Sequence, residues 1–156
     1  MNILIQKLIS LLLFILPWLI WWKVFDRTRI FEVLTFGSLV SIIAIFIDTM
    51  GVHNGWWVYH EKLFDQVPHF VPMDYAALPV GYMITYQMVH TWKRYILAAS
   101  LLSGTGAFII EPLFIHLGFY EQLNWSHMYS FIIYFLMAVV LKFLFERLKQ
   151  SINAAS

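Results

Sequence analysis

Apolar residues come along this chain in five long runs, separated by short polar or aromatic breaks. The runs cover about 3–22, 33–52, 73–92, 95–117 and 127–146. Each approaches or reaches the roughly 20 residues an α-helix needs to cross hydrocarbon. The pattern predicts an all-α fold: a polytopic membrane helical bundle with five transmembrane helices, forming a single integral membrane domain over 1–156. The first run is the least clean, because Gln6 and Lys7 leave it unbroken only from Leu8 to Trp22. Pro17 with Trp18, Trp21 and Trp22 reads as an interfacial anchor, and no small-residue cleavage site follows to mark a leader.

Composition agrees with the runs. Hydrophobic residues make up 61% of the 156 and charged ones 12%, against roughly 25% charged in a soluble domain. Net charge is +1, and the basic residues lie in small separate groups rather than a stripe, which argues against nucleic acid as a partner. The absence of cysteine excludes disulfides and thiolate metal sites. Eight of the ten basic residues, from Lys23 to Lys149, fall on one side of a five-helix path. By the positive-inside rule that side is cytoplasmic, so the expectation is a cell-membrane protein with its N-terminus outside and its C-terminus in the cytoplasm. The outer connection 53–72 is long and aromatic and carries the turn signal Asn54-Gly55. It is expected to fold back over the bundle's outer mouth, with an interfacial helix around Val58–Phe64.

The second and fourth runs share a pattern. Gly37, Ser41, Ala44 and Asp48 match Ser100, Gly104, Ala107 and Glu111 at a spacing of 63 residues. The match continues through His53 and His116, Gly55 and Gly118, and a following aromatic pair. Small residues on one helix face allow close packing in lipid. One explanation is that outward helices commonly end in small residues and an aromatic belt. The other is a tandem duplication of a two-helix unit, giving a 1+2+2 bundle.

Ionisable groups in membrane spans are functional candidates because hydrocarbon penalises them. Asp48, Asp74 and Glu111 qualify, each near the outer end of its run, and five of the six histidines lie on the same side. The three acids are the candidate catalytic residues. His53, His116, His127, Trp56, Tyr82, Trp125 and Tyr129 are the candidate ligand-pocket residues. Asp74, just after Pro72, reads equally as a helix-start cap. Glu111 reads as functional or as part of a polar network, since Pro112 frees a carbonyl one turn back. No cofactor and no metal is expected, because no His pair has metal-ligand helical spacing.

The elements Val71-Pro72-Met73-Asp74, Pro79, Tyr82, Tyr86, Glu111, Gly118 and Trp125 to Phe131 resemble a functionally uncharacterised family of small multi-pass membrane proteins from bacilli and clostridia. The resemblance covers about 48–145; it implies a bacterial membrane protein and no particular activity. A weaker similarity is to carotenoid (lycopene) cyclase-type membrane domains, which place acids after a helix-starting Pro. This chain has one acid after Pro72 where paired glutamates would stand, and it lacks an aspartate-rich prenyl-diphosphate motif.

The expected function is an outward-facing pocket for a small or lipidic ligand, or for a membrane-protein partner in the envelope. The alternatives are an intramembrane acid–base enzyme on an isoprenoid-like substrate and a proton- or metal-coupled carrier. The inner half, with little polar beyond Thr85, Gln87 and His90, argues against the carrier.

Overall fold

The structure, a computed structural model, describes residues 3–155. Its elements are α1 (Ile3–Val24), α2 (Ile30–His53), strand β1 (Trp57–Tyr59), α3 (a π-helical first turn Met73–Ala77, then Leu78–Met88), α4 (Trp92–His116), strand β2 (Tyr120–Gln122) and α5 (His127–Ala155). Four helices, α1, α2, α4 and α5, are long and apolar enough to cross a membrane. The fifth segment, α3, is shorter than the run that announced it. Val89, with φ −116° and ψ 102°, and Thr91, with ψ 139°, are β-branched and extended. They end α3 at Met88 and start α4 at Trp92, three residues before the expected Tyr95. The 16 residues from Met73 to Met88 rise about 24 Å, short of the ~30 Å hydrocarbon core.

Two prolines shape the interior. Pro79 has no N–H for the carbonyl of Tyr75, one turn back. The backbone widens into the π turn Met73–Ala77 just before it, and the Trp18 indole of α1 donates to the Tyr75 carbonyl at 3.2 Å. Pro112 has the same relation to the π turn Gly106–Ile110 inside α4. The buried residues of α4 are Tyr95, Ala99, Ser103, Ala107 and Glu111, each four apart, and then Phe114. A strict spacing of four drifts around an α-helix, and the wider turn keeps Ala107 and Glu111 facing inward.

The interfacial helix expected around Val58–Phe64 does not form. Trp57–Tyr59 is a strand, antiparallel to Tyr120–Gln122, with Trp57 opposite Gln122, Val58 opposite Glu121 and Tyr59 opposite Tyr120. The β-branched and aromatic residues there suit a pleated surface. The register is symmetric with respect to the 63-residue spacing: Trp57 pairs with the counterpart of Tyr59, and Tyr59 with that of Trp57. The turns into the strands are also equivalent. Asn54, Gly55 and Trp56 donate to the carbonyls of Met50, Val52 and Gly51, while Leu117, Gly118 and Phe119 donate to those of Leu113, Ile115 and Phe114. This is the helix-ending motif that places glycine in the left-handed region, and Gly55 (φ 66°) and Gly118 (φ 75°) occupy it.

The apolar core lies between α2, α3, α4 and α5, around Phe36, Val40, Met83, Tyr95, Ala99 and Leu141. Helix α1 packs on α3 and leaves Leu8, Leu12 and Leu19 more than half exposed, as a lipid-facing helix would. Its Gln6 is nonetheless buried and donates to the carbonyls of Leu117 and Gly118 at 3.2 and 3.1 Å, tying α1 to the second strand turn.

Candidate functional site

The three acids converge. Asp48, Asp74 and Glu111 all line one cavity of about 90 Å³ at the end of the bundle that carries the strands. Asp48 comes from the buried face of α2, Asp74 from the first turn of α3 and Glu111 from α4, just past its π turn. Alternation along the strands turns Trp57 and Tyr59, and likewise Tyr120 and Gln122, onto this cavity. Phe70, Trp125, Ser130 and Tyr134 complete the polar and aromatic wall.

Asp48 is saturated with donors. Its Oδ1 accepts from Trp57 Nε1 at 2.7 Å and from the Tyr59 hydroxyl at 2.8 Å, and its Oδ2 accepts from the Phe70 backbone N–H at 2.8 Å. Burial, and then the nearby Asp48 charge, hold the Tyr59 phenol well above its ordinary 10, so it stays a donor. The Phe70 contact draws the long connection back onto the bundle, as the sequence suggested. On the opposite wall Glu111 accepts from Tyr134 at 2.8 Å, and from Gln122 at 3.1 Å; its second partner on Oε2 is His127 Nδ1 at 2.8 Å. Gln122 also donates to the Tyr120 hydroxyl at 3.3 Å. The residues nine and eleven positions past each acid thus stand at it: Trp57 and Tyr59 bond to Asp48, and Gln122 bonds to Glu111 and to Tyr120.

Asp74 differs. It is 4% exposed, and its buried Oδ2 accepts from no helix-start N–H among the described residues, so that oxygen does not make the cap expected there. Its carboxyl shares the cavity with that of Asp48. Neighbouring carboxyl groups disfavour one another's charge.

Of the pocket residues expected from sequence, Trp125 lines the cavity and His127 reaches it through Glu111. Trp56 stands behind, stacked on Trp125 at 4.9 Å between ring centres. Tyr82 is buried one layer deeper, donating to the Tyr134 carbonyl at 2.9 Å. Tyr129 packs edge-on against Trp125 from an exposed position. His53 and His116 are exposed and line no part of the cavity. Each closes the last turn of its helix, where the following glycine turns the chain away. Residues missed from sequence are Phe70, Tyr120, Gln122, Ser130 and Tyr134. The 63-residue spacing could have found the strand residues, because it links positions 57 and 59 to 120 and 122.

The opposite end, where the sequence placed most of the basic residues, forms a second polar layer. Glu32 binds Arg29 at 2.8 Å, Lys149 at 2.6 Å and the Tyr86 hydroxyl. Lys142, buried within α5, pairs with Glu146 at 2.9 Å among the rings of Tyr86, Trp92 and Tyr95. Between the two polar layers the buried face of α2 is Phe36, Gly37, Val40 and Ala44, with the Met83 thioether lying against Gly37. Among the described residues no three His, Asp or Glu side chains form a metal-holding group. No protein-family model, no curated protein and no solved structure matches this chain.

Proposed function

We propose that the cavity is a membrane-embedded binding site for a small or lipidic ligand, entered from the outer side of a cell membrane. The observation that carries this is the convergence of three buried carboxyl groups on one aromatic-walled space. Burying acids beside one another costs stability, and packing alone gives no reason to retain all three. Size decides how the ligand sits. A cavity of about 90 Å³ is smaller than the ~150 Å³ space that accepts benzene in an engineered core. It therefore takes the end of a molecule, a headgroup or a chain terminus, with the remainder in the bilayer.

Full-length protein in mild detergent is expected to carry a lipid-sized adduct in native mass spectrometry. Ala44→Phe, which fills the cavity from α2, is expected to remove it. Adduct-free wild-type protein, or an adduct unchanged in Ala44→Phe, sinks the binding reading.

A second reading, an acid–base enzyme on an isoprenoid-like substrate, is favoured by the placement of Asp48 and Asp74 on one cavity, where two neighbouring acids can hold one proton between them. A proton held beside π faces can be delivered to an apolar substrate and the resulting charge stabilised there. On this reading Asp74→Asn and Glu111→Gln keep the adduct unaltered in amount but change its mass, because substrate accumulates in place of product. The carrier reading has the least support, given the apolar layer between the polar ends.

The topology that goes with this site has α3 as a fifth, short crossing, the N-terminus outside and the C-terminus in the cytoplasm. It also has the two strand-bearing halves as products of a tandem duplication. The chain has no native cysteine, so single-cysteine variants read orientation cleanly. Cysteines replacing Asn54 and Asn124 are expected to react with an impermeant maleimide on intact cells, and one replacing Arg27 only after lysis. Labelling of the Arg27 position on intact cells overturns the orientation.

A further inference from the structure

The donors and acceptors around the cavity constrain its occupant. Asp48 accepts three bonds from protein N–H and O–H groups, whereas among the described residues no group donates to Asp74 Oδ2. Asp74 Oδ2 is thus an acceptor without a donor, buried in a side chain that lines the cavity. Such an acceptor is costly to leave empty. Ser130, which also lines the cavity, accepts from Trp125 Nε1 at 2.9 Å, and its own proton has no acceptor among the described residues. The Glu111 side is satisfied by Tyr134, Gln122 and His127. The unfilled valences of the cavity are one acceptor and one hydroxyl donor.

On the footing of the binding reading above, we infer that the ligand is an alcohol: an apolar molecule whose terminal hydroxyl donates to Asp74 and accepts from Ser130. An ether or hydrocarbon of the same shape lacks the proton that Asp74 requires. A carboxylate would bring a fourth acid to a site that already holds three.

The test uses full-length protein in nanodiscs and two photoreactive probes, a diazirine-bearing eight-carbon alcohol and its methyl ether. Labelled sites are mapped by mass spectrometry. The alcohol is expected to label cavity residues about tenfold more than the ether, the discrimination given by one buried acceptor left unpaired. Asp74→Leu is expected to abolish that preference. Asp74→Asn is expected to restore it, since its amide N–H donates to Asp48 and its carbonyl remains free. Equal cavity labelling by alcohol and ether overturns the hydroxyl assignment and leaves the binding site standing. Labelling by neither, or labelling that survives Ala44→Phe, overturns both. Loss of preference in Asp74→Asn with folding intact also overturns the assignment, because it would mean that an ionised Asp74 was needed.

Discussion

Asp48→Ala is expected to lower stability by about 4 kcal/mol, because it strands three buried donors at once and each costs about 1–3 kcal/mol unpaired. The donors come from separate parts of the chain: the Trp57 indole and Tyr59 hydroxyl from β1, and the Phe70 N–H from the end of the long connection. Asp48 itself is only 7% exposed, so bulk water does not readily replace it. Asp48→Asn keeps one oxygen for Trp57 and Tyr59 but sets an amide N–H against that of Phe70, a loss of about 2 kcal/mol. Denaturation in mixed micelles, followed by tryptophan fluorescence, measures both. The variants should separate clearly, and Asp48→Ala within about 1 kcal/mol of wild type would show that Asp48 does not hold the strand and connection in place.

Gly51→Ala should be the costliest glycine substitution, at about 3 kcal/mol. A Cβ at Gly51 would fall inside the indole of Trp57. That ring cannot swing aside, because it is bonded to Asp48 and packed edge-on against Trp125 at 5.0 Å. The methyl must therefore strain the core or break the Asp48 bond, and overpacking alone costs about 1–3 kcal/mol. Gly37→Ala makes the contrast. Its Cβ would meet the thioether of Met83, an unbranched side chain that can repack. Gly55→Ala meets no atom but must hold a positive φ of 66°, at about 1 kcal/mol. Thermal unfolding in a single detergent should rank Gly51→Ala well below both. A Gly51→Ala protein as stable as Gly55→Ala would mean that Trp57 is free to move.

Much of this arrangement was legible in the amino-acid order. The long apolar runs marked the helices that can span, since length and hydropathy are local properties. The 63-residue spacing marked paired acids, paired histidines and paired glycines, and the glycines occupy equivalent turns with φ of 66° and 75°. Small residues before Asp48 marked the face of α2 that packs, and Gly37, Ala44 and Asp48 are buried on it.

The rest was not legible because it depends on partners distant in sequence. Trp57–Tyr59 becomes a strand only because Tyr120–Gln122 lies opposite it, 63 residues on; alone, an aromatic segment beside a membrane reads equally as an interfacial helix. Tyr134 meets Glu111 only because α5 packs beside α4. Glu32 meets Tyr86 and Lys149 only through contacts between helices far apart in the chain.

The concentration of acids at one end was fixed by the order of residues, because helix length and direction place Asp48, Asp74 and Glu111 at similar depth. Their chemical difference was decided only by the tertiary structure. Asp48 and Glu111 each gather several donors, while Asp74 Oδ2 has none among the described residues. How well each carboxyl is satisfied depends on the hydrogen-bond donors the fold brings to it, and those donors come from segments distant in sequence.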